Sequence, residues 1–249
     1  MKPTAPETGP VKRFHRMVFG GLQKNSFIDY PGKISCVLFL RGCNFHCPYC
    51  HNPDLVTGDL SQTPFIKENE IFDFLKGRKS LLEGVVITGG EPTLSDDLIP
   101  ICEKIRSMGF SVKLDTNGSR PEVIEQIIRL DAIDYLAMDI KTDPSRYAPL
   151  IKKHFDPAVI FESIRIIMSS GLPYEFRTTC VRPFIDEESV KRIGKIIQGA
   201  RLYALQKFQN QDKVLNPEFF VGRQSCFSDR EMMDLKRCAE PWVKTCIVR

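Results

Sequence analysis

Short runs rich in β-branched and aromatic residues alternate along the chain with segments whose apolar residues recur every three or four positions. The first pattern marks strands and the second amphipathic helices. Six strands are expected: ISCVLFL at 34–40, VVIT at 85–88, FSVKLD at 110–115, YLAMDI at 135–140, YEFRTTC at 174–180 and LYALQKF at 202–208. Between them lie five apolar stripes: Ile71, Phe74 and Leu75; Leu98, Cys102 and Ile105; Val123, Ile124, Ile127 and Ile128; Ile160, Ile164 and Ile167; Val190, Ile193 and Ile197. Each stripe lets a helix cover one face of a sheet. Asp96 and Asp156 are expected to start helices as N-caps, and Gly109, Gly171 and Gly199 to stop them.

This alternation predicts an α/β fold with parallel strands, either an open doubly wound sheet or a partial barrel. In both, ligands collect at the carboxyl ends of the strands. Directly after successive expected strands come RGCNFHC, TGGEPT, DTNG, MDIK, RTTC and LQKF, so glycine, cysteine and polar residues converge on one rim. The opposite ends carry no comparable series. No internal repeat exists beyond this rhythm, and no low-complexity tract.

At 249 residues and 42% hydrophobic, the chain suffices for one main domain, expected over 18–208. Residues 1–17, with Pro3, Pro6 and Pro10 and no apolar signal segment, read as a flexible leader. Residues 209–249 read as an extension packing on the barrel or on a partner: Met232, Leu235 and Lys236 suggest a short helix, and WVKTCIV is expected to close the barrel or meet the partner. The 35 basic and 31 acidic residues give no electrostatic case for nucleic acid or a membrane surface. No apolar run approaches the roughly 20 residues that span a bilayer. Of nine cysteines, Cys36, Cys102 and Cys180 sit in apolar contexts that suit core packing, while Cys226, Cys238 and Cys246 have irregular spacing.

The other three cluster in RGCNFHCPYCHNP, where Cys43, Cys47 and Cys50 are spaced C-x3-C-x2-C. They suit a structural zinc loop completed by His46 or His51, or three irons of a [4Fe-4S] cube whose fourth iron lacks a protein thiolate. The company on the rim favours the cube. Gly89 and Gly90 of TGGEPT let backbone approach a ligand closely, and Glu91 can accept from an ammonium group. Asp139 and Lys141 alternate at a strand end and so face one side. Blander readings are a tight turn for the glycines, a surface ion pair for Asp139 and Lys141, and a turn opened by Asp115 before Asn117-Gly118.

These segments together resemble the radical S-adenosylmethionine (radical SAM) superfamily. CPYCHNP, DTNG and the D-x-K of MDIK are similar to its glycyl-radical-enzyme activating branch, and SFIDYPG at 26–32 resembles activases of anaerobic ribonucleoside-triphosphate reductase. The resemblance runs from about residue 18 to 182 and implies a partial (βα)6 barrel with one [4Fe-4S] cluster on Cys43, Cys47 and Cys50 and SAM chelated to its open iron. Reductive cleavage of SAM would then yield methionine and a radical that takes a glycine hydrogen from a partner.

By the same resemblance Gly89, Gly90 and Glu91 hold the methionine amine, and Asp139, Ile140 and Lys141 meet methionine and ribose groups. Tyr49, Cys50 and His51 line the adenine side, Asp115 and Asn117 sit beside cofactor and substrate backbone, and Arg177 reaches the site from its strand. The three cysteines, Asp115 and Lys141 form the catalytic set. Some relatives carry a ribose-contacting histidine after the sixth strand; LQKFQN offers Gln206 or Gln209 instead. The implied partners are a glycyl radical enzyme, foremost the anaerobic ribonucleoside-triphosphate reductase, and flavodoxin or ferredoxin as electron donor, in the cytoplasm. Alternatives are an activase of pyruvate formate-lyase type, a radical SAM enzyme acting on a small molecule, and a non-catalytic zinc-binding interaction module.

Overall fold

All six expected strands form, each ending within one residue of its expected bounds. The computed structural model describes residues 17–56, 65–150, 155–209 and 213–249, so the expected leader, apart from Met17, lies outside the described residues. The order is β1 (Phe19–Ser26), β2 (Ser35–Leu40), α1 (Pro53–Val56), α2 (Glu68–Gly77), β3 (Gly84–Gly89), α3 (Leu98–Ser107), β4 (Ser111–Thr116), α4 (Pro121–Arg129), β5 (Tyr135–Asp139), α5 (Tyr147–Leu150), α6 (Ala158–Ser169), β6 (Tyr174–Cys180), α7 (Glu187–Ile196), β7 (Tyr203–Lys207), α8 (Asp229–Ala239) and β8 (Cys246–Val248). The sheet runs β1 to β8 in chain order, parallel from β2 onward, with β1 antiparallel to β2.

Two strands exceed the expected six. β1 reads FGGLQKNS, whose two glycines and polar tail hide strand character, and its pairing with β2 is broken by register shifts. β8 has only three residues, too few for a period, and it continues the main sheet past residue 208 by pairing with β7. Ordering the eight strands in sequence leaves β1 and β8 as open edges, and among the described residues no helix is long and apolar enough to cross a membrane.

Helices α2, α3, α4, α6, α7 and α8 pack on one face, whereas α1 borders the cavity through Val56. Val85, Ile87, Val112, Leu114, Leu136, Met138 and Phe176 join Ile71, Ile105, Ile124, Ile127, Ile164 and Ile193 in one core. Each such side chain, fully withdrawn from water, contributes about 1.5–3 kcal/mol. The other strand face carries only a small apolar cluster of Tyr30, Val37 and Val86, and then turns polar. Helices on a single face make this the partial-barrel alternative, with a polar interior.

Helix ends follow the expected glycines, since Gly109, Gly171 and Gly199 take φ of +94°, +79° and +84°. Asp156 is not the N-cap, since Pro157 takes that position, but its carboxylate accepts from the Ala158 N–H at 2.9 Å as α6 begins. Asp96 does not cap α3: the flanking residue is Asp97, whose carboxylate is turned to the Met17 N–H at 2.9 Å.

Candidate cofactor site at the carboxyl ends of the strands

Where β2 ends, the Arg41 N–H donates to Val18 and the Gly42 N–H to Leu55, closing residues 41–56 into a loop. Cys43, Cys47 and Cys50 all line one cavity beneath it, with Phe45, Tyr49, His51, Asn52 and Val56. The opposite wall holds Thr88, Gly89 and Gly90 from β3, Asp115, Thr116 and Asn117 from the β4 exit, Asp139 and Lys141 from β5 onward, and Thr179 from β6. The series read at successive strand ends therefore meets at one place, apart from LQKF, which does not line the cavity.

Burial pushes the Cys43 thiol up to about 12 and Cys47 to about 11, and raises Cys50 as well. The Lys141 ammonium draws all three the other way. Against burial, which lowers it, Asp139 and the Cys47 sulfur hold Lys141 above the ordinary lysine range. The Phe45 N–H points to the Cys43 sulfur at 3.4 Å and the Asn117 amide at 3.9 Å. Asn117 also donates to Asn44 Oδ1 at 3.0 Å, and Asn44 to Ser119 Oγ at 2.8 Å, tying the cysteine loop to the β4 exit. Phe45 is edge-on to Tyr147 and Phe155, and Tyr49 to Phe184 at 5.1 Å, so an aromatic cluster packs beside the buried Cys47.

The two glycines answer to the chain's own backbone. A Cβ on Gly89, which has φ of +119°, would stand 2.3 Å from Leu40 N, and one on Gly90 would stand 2.0 Å from Gly42 O. In that space the Gly90 N–H donates to Leu40 O and the Glu91 N–H to Gly42 O, each at 2.8 Å. The close approach expected toward a ligand is thus made first to the cysteine loop.

Glu91 is placed apart from the cavity. It is 2% exposed and absent from the cavity wall; its carboxylate accepts from Thr93 N and Oγ1, from Thr116 Oγ1 at 2.7 Å and from Asn117 N at 2.6 Å. These four donors make it an anchor for the loop after β4. Burial raises its carboxyl above the ordinary range, opposed by these bonds. Ile140 does not line the cavity either: its side chain lies in the helix-facing core, its N–H donates to Arg177 O and its carbonyl accepts from Thr178 Oγ1. Arg177 lies behind the wall and bridges two aspartates rather than lining the cavity.

That bridge belongs to a chain of alternating charges along the barrel interior. Arg249 Nη2 meets Glu175 at 2.7 Å, and Glu175 lies 4.0 Å from Lys113 Nζ. Lys113 is 2.5 Å from Asp115, Arg177 joins Asp115 at 2.9 Å to Asp139 at 2.7 Å, and Asp139 meets Lys141 at 2.9 Å. Against burial, Arg177 and Lys141 hold the Asp139 carboxyl well below the usual range. Asp139 and Lys141, for which a simple surface ion pair was the blander reading, form the end of a mostly buried network. Lys113, Glu175 and Arg249 escaped notice in the sequence, although Lys113 and Glu175 each precede a recognised site residue by two positions and so share its face.

Residues after 209 also reach the site. The Leu215 N–H donates to Cys50 O and the Asn216 N–H to Pro48 O, both at 3.0 Å, and Lys213 pairs with Asp54; just before this segment, Phe208 stacks on His51 at 5.2 Å. Neither Gln206 nor Gln209 lines the cavity; Thr179, paired with Gln206 in register, does.

The donor set fits an iron–sulfur cube. Among the described residues no three His, Cys, Asp or Glu side chains converge as a single ion requires, whereas three thiols spread round one cavity wall suit a larger cluster. Fold and site together define a radical SAM protein. The Radical SAM superfamily model matches residues 37–198, about two thirds of the chain, and the chain belongs to that superfamily, which uses a [4Fe-4S] cluster and SAM. Within it, the relatives are glycyl-radical-enzyme activating enzymes. A provisionally named glycyl-radical enzyme activating enzyme of Methanocaldococcus jannaschii is 36% identical over 242 residues, covering 94% of this chain and 96% of its own. A pyruvate formate-lyase-activating enzyme of Listeria monocytogenes is 34% identical over 149 residues, covering 54% of this chain and 57% of its own. Among solved structures, methylornithine synthase (PylB) shares the fold at TM-score 0.61 and 15% identity, covering 86% of this chain and 63% of that one.

Proposed function

We propose that this protein generates a glycyl radical on a partner enzyme, using SAM held in the cavity under the cysteine loop. The carrying observation is that three thiols, Asp139 and Lys141 line one cavity in a chain so similar to a named activating enzyme. When bound and reduced by one electron, the cluster supplies reductive cleavage of SAM to methionine and a 5′-deoxyadenosyl radical able to take a glycine α-hydrogen. Cys43, Cys47 and Cys50 hold the cube. Asp139 and Lys141 offer a carboxylate and an ammonium to the zwitterionic cofactor, and Tyr49, Cys50 and His51 form the wall for its adenine. Phe45 and Tyr49 exclude water, which protects a radical from quenching.

The partner is the anaerobic ribonucleoside-triphosphate reductase, a choice supported by SFIDYPG at 26–32, with a flavodoxin or ferredoxin as donor in the cytoplasm. A pyruvate formate-lyase-type partner is the second reading, favoured by the Listeria relative. The test mixes the anaerobically reconstituted protein with SAM, a reductant and either purified candidate, and follows the glycyl doublet by electron paramagnetic resonance. A doublet on the reductase alone supports the first partner. A doublet on the lyase alone replaces it with the second. No doublet on either, with SAM still cleaved, overturns the glycyl-radical reading. Cys47→Ala is expected to abolish signal and cleavage together.

A further inference from the structure

Lys141 lies just past Asp139, the last residue of β5, and its own N–H and C=O fall outside the strand ladder. Side-chain hydroxyls hold them instead. The peptide plane before Lys141 is held at both ends: Thr178 Oγ1 donates to Ile140 O at 2.8 Å, and the Lys141 N–H donates to the Tyr147 hydroxyl at 2.8 Å. The plane after it is held at its carbonyl, which accepts from the Tyr49 hydroxyl at 3.3 Å. Two pinned planes fix φ and ψ at the residue between them, and with these the bond that aims its side chain. The Lys141 ammonium accordingly turns back to Asp139 at 2.9 Å and borders the cavity.

Of these hydroxyls, that of Tyr147 has no role in the chemistry above. Tyr147 is fully buried, and the turn Pro144–Arg146, which Asp143 caps by accepting from the Ser145 N–H at 3.0 Å, brings it back to Lys141. Its ring stacks on Phe155 at 5.4 Å and meets Phe45 of the cysteine loop edge-on at 5.7 Å, so packing fixes the ring without help from the hydroxyl. Removing the oxygen alone deprives the Lys141 N–H of its acceptor at a place that water does not reach, and an unpaired donor drives the plane to turn. We propose that Tyr147 is a positioning residue: its hydroxyl, with those of Thr178 and Tyr49, sets the backbone direction at Lys141 and thereby aims the ammonium into the cavity for SAM binding. The inference rests on the reading that SAM occupies this cavity.

Tyr147→Phe keeps the packed ring and loses one oxygen, so the variant should fold and load its cluster, which iron and sulfide content checks. SAM affinity is measured anaerobically by equilibrium dialysis on the cluster-loaded wild type, Tyr147→Phe, Lys141→Met and the double variant. Each single substitution is expected to weaken binding about tenfold, and the double variant to bind no more weakly than Lys141→Met alone. A general loosening of the site would weaken both backgrounds by one factor. A second readout needs no SAM: trace acetylation by acetic anhydride, followed by mass spectrometry, is expected to reach Lys141 several times faster in Tyr147→Phe than in the wild type. An amine released from Asp139 gives up its proton more readily and meets the reagent.

Tyr147→Phe binding SAM like the wild type, an equal loss in the Lys141→Met background, or unchanged labelling of Lys141 each overturns the role of Tyr147. Lys141→Met binding like the wild type removes the group being aimed and overturns it as well. Should Tyr147→Phe fail to load its cluster, Thr178→Val, which frees the other end of the same peptide plane, takes its place in the cycle. A loss confined to proteins that keep Lys141 then supports the proposal, and an equal loss in both backgrounds, or none, overturns it. A cluster-loaded wild type that binds no SAM sinks the cofactor-site reading itself, and this inference with it.

Discussion

Arg177 holds Asp139 through Nε at 2.7 Å and Asp115 through Nη1 at 2.9 Å, so one guanidinium sets the spacing of two carboxylates at neighbouring strand ends. With its side chain 11% exposed, and with the aspartates raising it above the ordinary arginine range against burial, it has no equal substitute. Arg177→Met leaves the buried carboxylate of Asp115 facing the partly exposed one of Asp139 and is expected to cost about 3 kcal/mol in chemical denaturation. Arg177→Lys, a point charge lacking the planar fork, should restore stability only in part. A loss below about 1 kcal/mol for the methionine variant would mean that the ladder contributes little to the fold.

The same ladder sets an acid limit. Because the Asp139 carboxyl is lower folded than unfolded, its contribution to stability is complete above the unfolded value of about 4 and drains as pH falls through the folded one. Unfolding free energy from this group should stay level between about pH 7 and 5 and fall below about pH 4. Asp139→Asn should flatten the acid limb relative to the wild type. An unchanged acid slope in that variant would contradict the assignment.

Asn117 should tune the cluster. Its amide points at the Cys43 sulfur at 3.9 Å, and hydrogen bonds to ligand sulfur raise the potential of an iron–sulfur centre. Asn117→Leu is expected to lower the midpoint potential by about 40 mV, the equivalent of roughly 1 kcal/mol of hydrogen bonding carried by one electron. An anaerobic titration followed by electron paramagnetic resonance reads this directly, and a potential unmoved or raised would show that the amide does not act on the sulfur.

What could be read from the sequence was whatever obeyed a local period. The six parallel strands carry apolar runs, and Cys43, Gly89, Asp115 and Asp139 sit at or just beyond their ends, so a two-residue alternation and a rim rule sufficed. β1 and β8 escaped because their stability comes from neighbours and not from their own residues. The hydrogen-bond partners of Glu91 were not legible, because a carboxylate beside a glycine pair carries no mark of which way it turns, and only the fold brings Thr93, Thr116 and Asn117 around it. Lys113 and Glu175 were legible in principle: a charged residue at an inward position of an otherwise apolar strand needs a buried partner, and the strands supply it at the same level.

The strap over the cysteine loop makes a separate expectation. Leu215 N–H to Cys50 O is one of two backbone bonds that hold residues 213–216 against the loop. Leu215→Pro deletes that donor, a loss of roughly 1 kcal/mol and about fivefold in the population of the closed loop. Iron release from the reconstituted protein to a chelator should quicken by a similar factor. Release at the wild-type rate would mean that the loop is held without the strap.

Gly90 and Gly77 form the sharpest contrast between two glycines. A methyl on Gly90 would stand 2.0 Å from Gly42 O, a backbone atom in the loop that presents Cys43, and no side-chain rotation relieves that overlap. Gly90→Ala must therefore push the cysteine loop away from β3, breaking the Gly90 to Leu40 and Glu91 to Gly42 hydrogen bonds. At the end of α2, a methyl added to Gly77 would meet nothing within 4 Å, and substitution by alanine there should stabilise by about 0.4–1 kcal/mol through the unfolded state. Iron and sulfide content after reconstitution separates the two: Gly77→Ala should load fully, and Gly90→Ala should lose most of its cluster while keeping its far-ultraviolet circular dichroism. Full loading of Gly90→Ala would show that the loop can hold its cysteines at a greater distance from β3, and the contact between the glycine pair and the cysteine loop would then no longer explain why two glycines stand there.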